Sequence, residues 1–113
     1  MNRTFKKQLA ALFNETSKEI FGTGVHDQKI EIVGDKVLII ARTKRISALD
    51  ALSDEYADLV LSLDSALTSR YKKIFKEKIE NELNLKIISI FRDYEPSSSS
   101  SCTVICFESL ITA

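Results

Sequence analysis

The residues of this chain that could do chemistry are few and far apart. Its only histidine, His26, stands beside Asp27 shortly after Gly22-Thr23-Gly24, and its two cysteines, Cys102 and Cys106, are four positions apart near the C-terminal end. A general base needs a nucleophile within hydrogen-bond reach, and a metal site needs three or four converging ligands. No partner is spaced for either role around His26, so no function is assigned to it. An enzyme reading would require His26, Asp93 or Tyr94 to converge in a pocket between sheet and helices. In an extended strand the two cysteines would share a face about 13 Å apart, too far for a disulfide. They are expected to be buried, reduced thiols acting as small apolar residues, with no metal and no cofactor.

Two further segments touch on phosphate chemistry and are weak. Gly22-Thr23-Gly24 supplies half of a dinucleotide fingerprint, but it follows a helical pattern and precedes a strand, the reverse of the order that sets a phosphate on a helix N-terminus. A tight turn and close backbone approach are the roles expected of Gly22 and Gly24. The serine run Ser97 to Ser101 has no glycine-rich turn or adjacent lysine, and is read as a mobile hairpin loop.

The elements that must position these residues follow from periodicity. Phe5, Leu9, Leu12, Phe13, Thr16 and Ile20 fall on one face of a first helix, which Phe21-Gly22-Thr23-Gly24 stops. Ile30 to Val33 and Val37 to Ala41 alternate as strands around Gly34-Asp35, a two-residue loop of the type II′ kind. The second of these strands is apolar on both faces, which suggests a central place in the sheet. From Asp35 to Glu95 there is neither Gly nor Pro, so a helical segment from about Ser47 to Leu83 connects this hairpin to the next. Ser47 is the expected N-cap, with Asp50 three residues on, and Asn84 the expected C-terminal cap. Unbroken, the segment would be about 55 Å long, so a break near Ser53-Asp54 or Ser62 to Ser65 is expected. Ile87 to Phe91 and Thr103 to Phe107 complete the strands, with Val37, Ile39, Ile88 and Phe107 among the residues expected to be buried. The fold class is α+β: a two-layer domain with an antiparallel four-stranded sheet and helices mainly on one face, in the order α-β-β-α(α)-β-β.

Composition agrees with one domain and restricts its partners. The chain has 113 residues, 44% of them apolar and 28% charged, with sixteen basic and sixteen acidic side chains. A single core follows from that length, and zero net charge gives no long-range attraction for nucleic acid or an anionic membrane. Tyr71 and Phe75 lie among Arg70, Lys72, Lys73 and Lys76, but both follow the apolar stripe, so nucleic-acid stacking is not expected. The longest apolar runs are far short of the roughly 18 to 20 residues that span a bilayer, and the N-terminus lacks the apolar core of a secretory signal. A cytoplasmic location without membrane insertion is expected.

The long segment carries the interaction expectation. Leu49, Leu52, Tyr56, Leu59, Val60, Leu63, Leu67 and Ile74 keep to one face, while Leu61 and, after Tyr71, the residues Phe75, Ile79 and Leu83 rotate to a second. Asp50, Asp54, Glu55, Asp58 and Asp64 precede Arg70, Lys72, Lys73, Lys76 and Lys78, an order that suits the helix dipole and allows pairs such as Lys78 with Glu82. A homodimer through Leu61, Tyr71, Phe75 and Ile79, with antiparallel segments opposing unlike charges, is expected.

Several of these segments carry a resemblance. Glu19-Ile20-Phe21-Gly22-Thr23-Gly24, Gly34-Asp35-Lys36-Val37-Leu38-Ile39, Ile46-Ser47-Ala48-Leu49-Asp50, Ile79-Glu80-Asn81-Glu82-Leu83 and Val104-Ile105-Cys106-Phe107 make the chain resemble the bacterial MpsC-like family. That family is described as an accessory component of a sodium-translocating, membrane-potential-generating system. Val25 stands where the family has Pro, and Ile46-Ser47 with Asp50 match its Leu-Thr-x-x-Glu conservatively. The matched residues are turn, cap and core positions, Gly22, Gly24, Ser47 and Asp50 among them. The resemblance implies a non-enzymatic interaction or regulatory module, accessory to a membrane ion or inorganic-carbon transport system, with a membrane transport or signalling protein as partner. The alternative is a small-molecule-sensing domain of a signal-transduction protein, which would need a pocket between sheet and helices lined by a few convergent polar groups.

Overall fold

The computed structural model describes residues 2–43 and 47–111. Its elements are α1 (Asn2–Phe21), β1 (His26–Val33), β2 (Lys36–Arg42), α2 (Ser47–Leu52), α3 (Ala57–Leu83), β3 (Ile87–Glu95) and β4 (Ser100–Phe107). The strands form one antiparallel sheet in the order β1-β2-β4-β3, so β2 is central and the architecture is the α+β one expected.

Local chemistry sets the boundaries. Gly22, at φ +79°, takes the left-handed conformation that ends α1, and its N–H donates to the Lys18 carbonyl at 3.0 Å. A β-carbon on Gly24 would lie 2.7 Å from Asn14 Oδ1, the oxygen that accepts the Val25 N–H at 3.0 Å. Gly24 is therefore where the chain leaves α1 in contact with α1's own side. In the first hairpin Gly34 has φ +66° and Asp35 does not share the positive sign, the pattern of the type II′ turn. The helical segment breaks at Ser53 to Tyr56, and α3 ends on Asn84 at φ 55°, ψ 43°.

One face of the sheet is covered by helices and makes the core. Val37, Ile39 and Ala41 of β2 and Thr103, Ile105 and Phe107 of β4 point inward, meeting Leu9 and Phe13 of α1 and Tyr71, Phe75 and Ile79 of α3. The Phe13 ring lies 5.8 Å from that of Tyr71, edge-on, and 5.6 Å from that of Phe75. Lys78 ties α3 to α1, donating to Glu15 at 2.8 Å and lying 3.7 Å from Glu19. The expected pairing of Lys78 with Glu82 gives way to this contact between helices. Glu80 accepts the Ile87 N–H at 2.9 Å.

Four expectations are corrected. Tyr71, Phe75 and Ile79 have no exposed surface, so they cannot form the dimer interface expected of them; Leu61, the fourth residue of that set, is 70% exposed. The reason lies in the phase of the helices. Leu49 and Leu52 belong to α2, a separate helix, and α3, at 27 residues or about 40 Å, outlasts strands of seven to nine residues. Its first half has little sheet to cover, and Leu59, Leu61 and Leu63 stay exposed while Val60 is buried. Ile88 is outside because the β3–β4 register shifts between Ile87 and Ser89, which puts Ile87, Ile90, Arg92 and Tyr94 on the inner side. Cys102 is exposed and Cys106 half-buried, since Ser101, Thr103, Ile105 and Phe107 hold the inner positions of β4. Lastly, the serine run is loop only over Ser97 to Ser99: β4 begins at Ser100, Ser101 is buried, and the turn is Pro96 to Ser99, closed by Ser99 N–H to the Pro96 carbonyl at 3.3 Å.

The outer sheet face carries Leu38, Ile40, Phe91 and Val104 beside the two cysteines, with Ile40 and Phe91 exposed. Among the described residues no element covers it.

Candidate functional site

The overhang of α3 leaves a cleft of about 400 Å³ between its first half and the end of β3, with Leu49 of α2 and Thr43 at its rim. A volume of this size is in the range of small-molecule sites. Phe21, Leu61, Leu67 and Pro96 give it apolar walls, and Asp64, Thr68, Lys72, Arg92, Asp93 and Tyr94 supply polar groups.

Arg92 is the group that the fold places with most consequence. It lies opposite Thr103 on the inner face of β3, a position that a core would ordinarily give to an apolar residue. Its guanidinium carbon is 4.7 Å from the centroid of the Phe21 ring, 5.0 Å from that of Tyr71 and 6.0 Å from that of Tyr94. Three rings thus hold the cation by their faces, in contacts of about 0.5–2 kcal/mol each. Hydrogen bonding does far less. One terminal nitrogen donates to Thr68 Oγ1 at a long 3.4 Å, and the buried Nε–H has no partner. Among the described residues Arg92 forms no ion pair. Burial lowers its pKa, opposed by Tyr71, Tyr94, Asp64 and Asp93, and a guanidinium remains charged regardless.

The floor beneath it is closed, since Tyr71 and Thr103 have no exposed surface. Burial pushes the Tyr71 hydroxyl far above the usual tyrosine range, with Arg92 and then Thr103 acting the other way, so Tyr71 stays neutral. The Tyr71 and Thr103 hydroxyls influence each other electrostatically, yet neither has a partner in good hydrogen-bond geometry. At the rim, Tyr94 donates its hydroxyl to the Thr43 carbonyl at 3.1 Å, which fixes that ring beside the cation.

The residues singled out from sequence are only partly gathered here. Asp93, Tyr94 and Leu61 line the cleft, Tyr71 underlies Arg92, and Phe75 and Ile79 lie deeper in the core. His26 does not line it; it begins β1 opposite Arg42, so of His26, Asp93 and Tyr94 only the last two lie at the cleft. Gly22 and Gly24 shape the turn after α1, whose last residue, Phe21, is one wall. Ser47 and Asp50 lie in α2, where the Asp50 carbonyl accepts the Ser53 hydroxyl at 2.8 Å. Arg92, Thr68 and Lys72 were not anticipated as site residues. Their signal was a charged residue inside the alternating run Ile90, Arg92, Tyr94, which only the shifted register of β3 turns inward. Among the described residues no three His, Cys, Asp or Glu side chains group as metal ligands, and no helix is long and apolar enough to cross a membrane. Comparison of the chain with protein-family models, curated proteins and solved structures finds no match, so the MpsC-like resemblance rests on the residues quoted for it.

Proposed function

We propose that the chain is a non-enzymatic regulatory domain that binds a small molecule in the cleft beside Arg92. The observation that carries this reading is a half-buried cation, set against aromatic rings and without an ion pair among the described residues, opening on a cleft of about 400 Å³. A cation placed so costs stability when nothing pairs with it, and a ligand supplies what the fold leaves out. An accessory role in a membrane ion or inorganic-carbon transport system, in the cytoplasm, is the setting that the family resemblance suggests for such binding. Nitrogen–proton correlation spectra of the labelled protein, recorded against a library of sugars, nucleosides, amino acids and carboxylates, test it. Shifts gathering on the amides of Phe21, Thr43, Leu67 and Tyr94 are expected. If no compound at millimolar concentration moves these amides, the reading fails.

Self-association along α3 is a second reading, moved from the buried residues to Leu59 and Leu63, which are 49% and 37% exposed. Asp54, Glu55 and Asp58 lie toward one end of this stretch and Arg70, Lys73 and Lys76 toward the other, so an antiparallel copy would set unlike charges against each other. Sedimentation velocity at low salt is expected to show a dimer that Leu59→Asp with Leu63→Asp converts to monomer. A wild-type monomer at high micromolar concentration would reject it.

A further inference from the structure

We infer that the ligand of the cleft is a small monocarboxylate with an apolar body, its carboxylate received on the free edge of the Arg92 guanidinium. This rests on the small-molecule reading above and names the chemical class. A guanidinium stacked on rings keeps its N–H groups in the ring-parallel plane, aimed sideways, and that planar fork matches the two oxygens of a carboxylate. Here the Phe21 and Tyr71 rings, 5.8 Å apart, lie on one side of the guanidinium, one edge nitrogen reaches Thr68 and the buried Nε–H is unpartnered.

Charge and lining select among anions. Among the described residues the cleft is lined by Lys72 and Arg92 and by Asp64 and Asp93. The two carboxylates repel any anion, and a dianion such as phosphate more strongly than a monoanion. Leu61, Leu67 and Pro96 offer a wall without donors or acceptors, suited to an alkyl or aryl body and unsuited to a sugar or a polyphosphate.

The chain has five arginines, so the Nε–Hε resonance of Arg92 can be identified in the full-length labelled protein by its loss in Arg92→Lys. Hexanoate, hexanamide and inorganic phosphate are titrated separately. Hexanoate is expected to move the Arg92 Nε–Hε resonance and the cleft amides together, with saturation, and hexanamide to bind about tenfold or more weakly, since it lacks the charge that the fork recognises. Phosphate is expected to leave the resonance in place at the same concentrations. Arg92→Lys is expected to lose about tenfold in hexanoate affinity. If hexanamide binds as well as hexanoate, the cleft still binds small molecules and the carboxylate inference falls alone. If phosphate moves the resonance and hexanoate does not, the class is wrong. Should none of the three move it because Asp64 closes onto Arg92, the inference is likewise overturned, while the library screen separately decides the broader reading. If Arg92→Lys does not fold, the wild-type comparison of hexanoate with hexanamide decides.

Discussion

Phe75→Ala is expected to lower the free energy of unfolding by about 3–5 kcal/mol, the usual cost of truncating a fully buried aromatic residue. Phe75 has no exposed surface and packs its ring 5.6 Å from that of Phe13 and 5.4 Å from that of Tyr71, so truncation removes contacts to both helices of the core at once. A loss of this size is a large part of the roughly 5–15 kcal/mol that holds a typical domain together. Leu61→Ala, at a residue 70% exposed, is expected to change stability by no more than about 0.5 kcal/mol. Urea denaturation at two protein concentrations is the measurement. A core role predicts a loss independent of concentration, while an interface role for Phe75 would make it shrink as the protein is diluted and the association that it supports is lost, and that result would reject the core assignment.

Arg92→Met is expected to act in the opposite direction on stability and to abolish hexanoate binding. The unbranched Met stem can follow the path of the arginine and place its sulfur against Phe21 and Tyr71, recovering part of the lost attraction between cation and rings. It also removes a buried N–H without a partner and a charge without an ion pair among the described residues, and replacing such groups by apolar ones of similar size is commonly neutral or stabilising. The net gain is on the order of 1 kcal/mol. A variant that gains stability while losing the ligand would mark Arg92 as a residue kept for binding. A loss greater than about 1 kcal/mol would instead make the stacked guanidinium a structural strut.

Features that depend on neighbouring residues were readable before any coordinates. The stop at Gly22, the turn at Gly34-Asp35, the break near Ser53 and the left-handed cap at Asn84 each rest on one or two residues with restricted backbone choices. What could not be read was phase. On α3 the leucines at 59, 61 and 63 and the later set Tyr71, Phe75 and Ile79 are equally apolar, and only the reach of the sheet decides which set is covered. The same holds in β3, where one register shift sends Ile88 outward and Arg92 inward, against what hydrophobicity alone suggests. The cleft depends on both. It exists because α3 runs beyond the strands, and it is polar because the shifted register faces an arginine into it.

The strand order has a kinetic meaning as well. Each hairpin closes a short loop, but the pairing of β2 with β4, from Lys36 opposite Cys106 to Arg42 opposite Ser100, joins residues 70 to 58 positions apart by subtraction. Every long-range strand pairing in the sheet is concentrated in that one central seam, so loop-closure entropy delays it relative to both hairpins. Until it zips, each hairpin exposes an unpaired strand edge that belongs in the middle of the finished sheet.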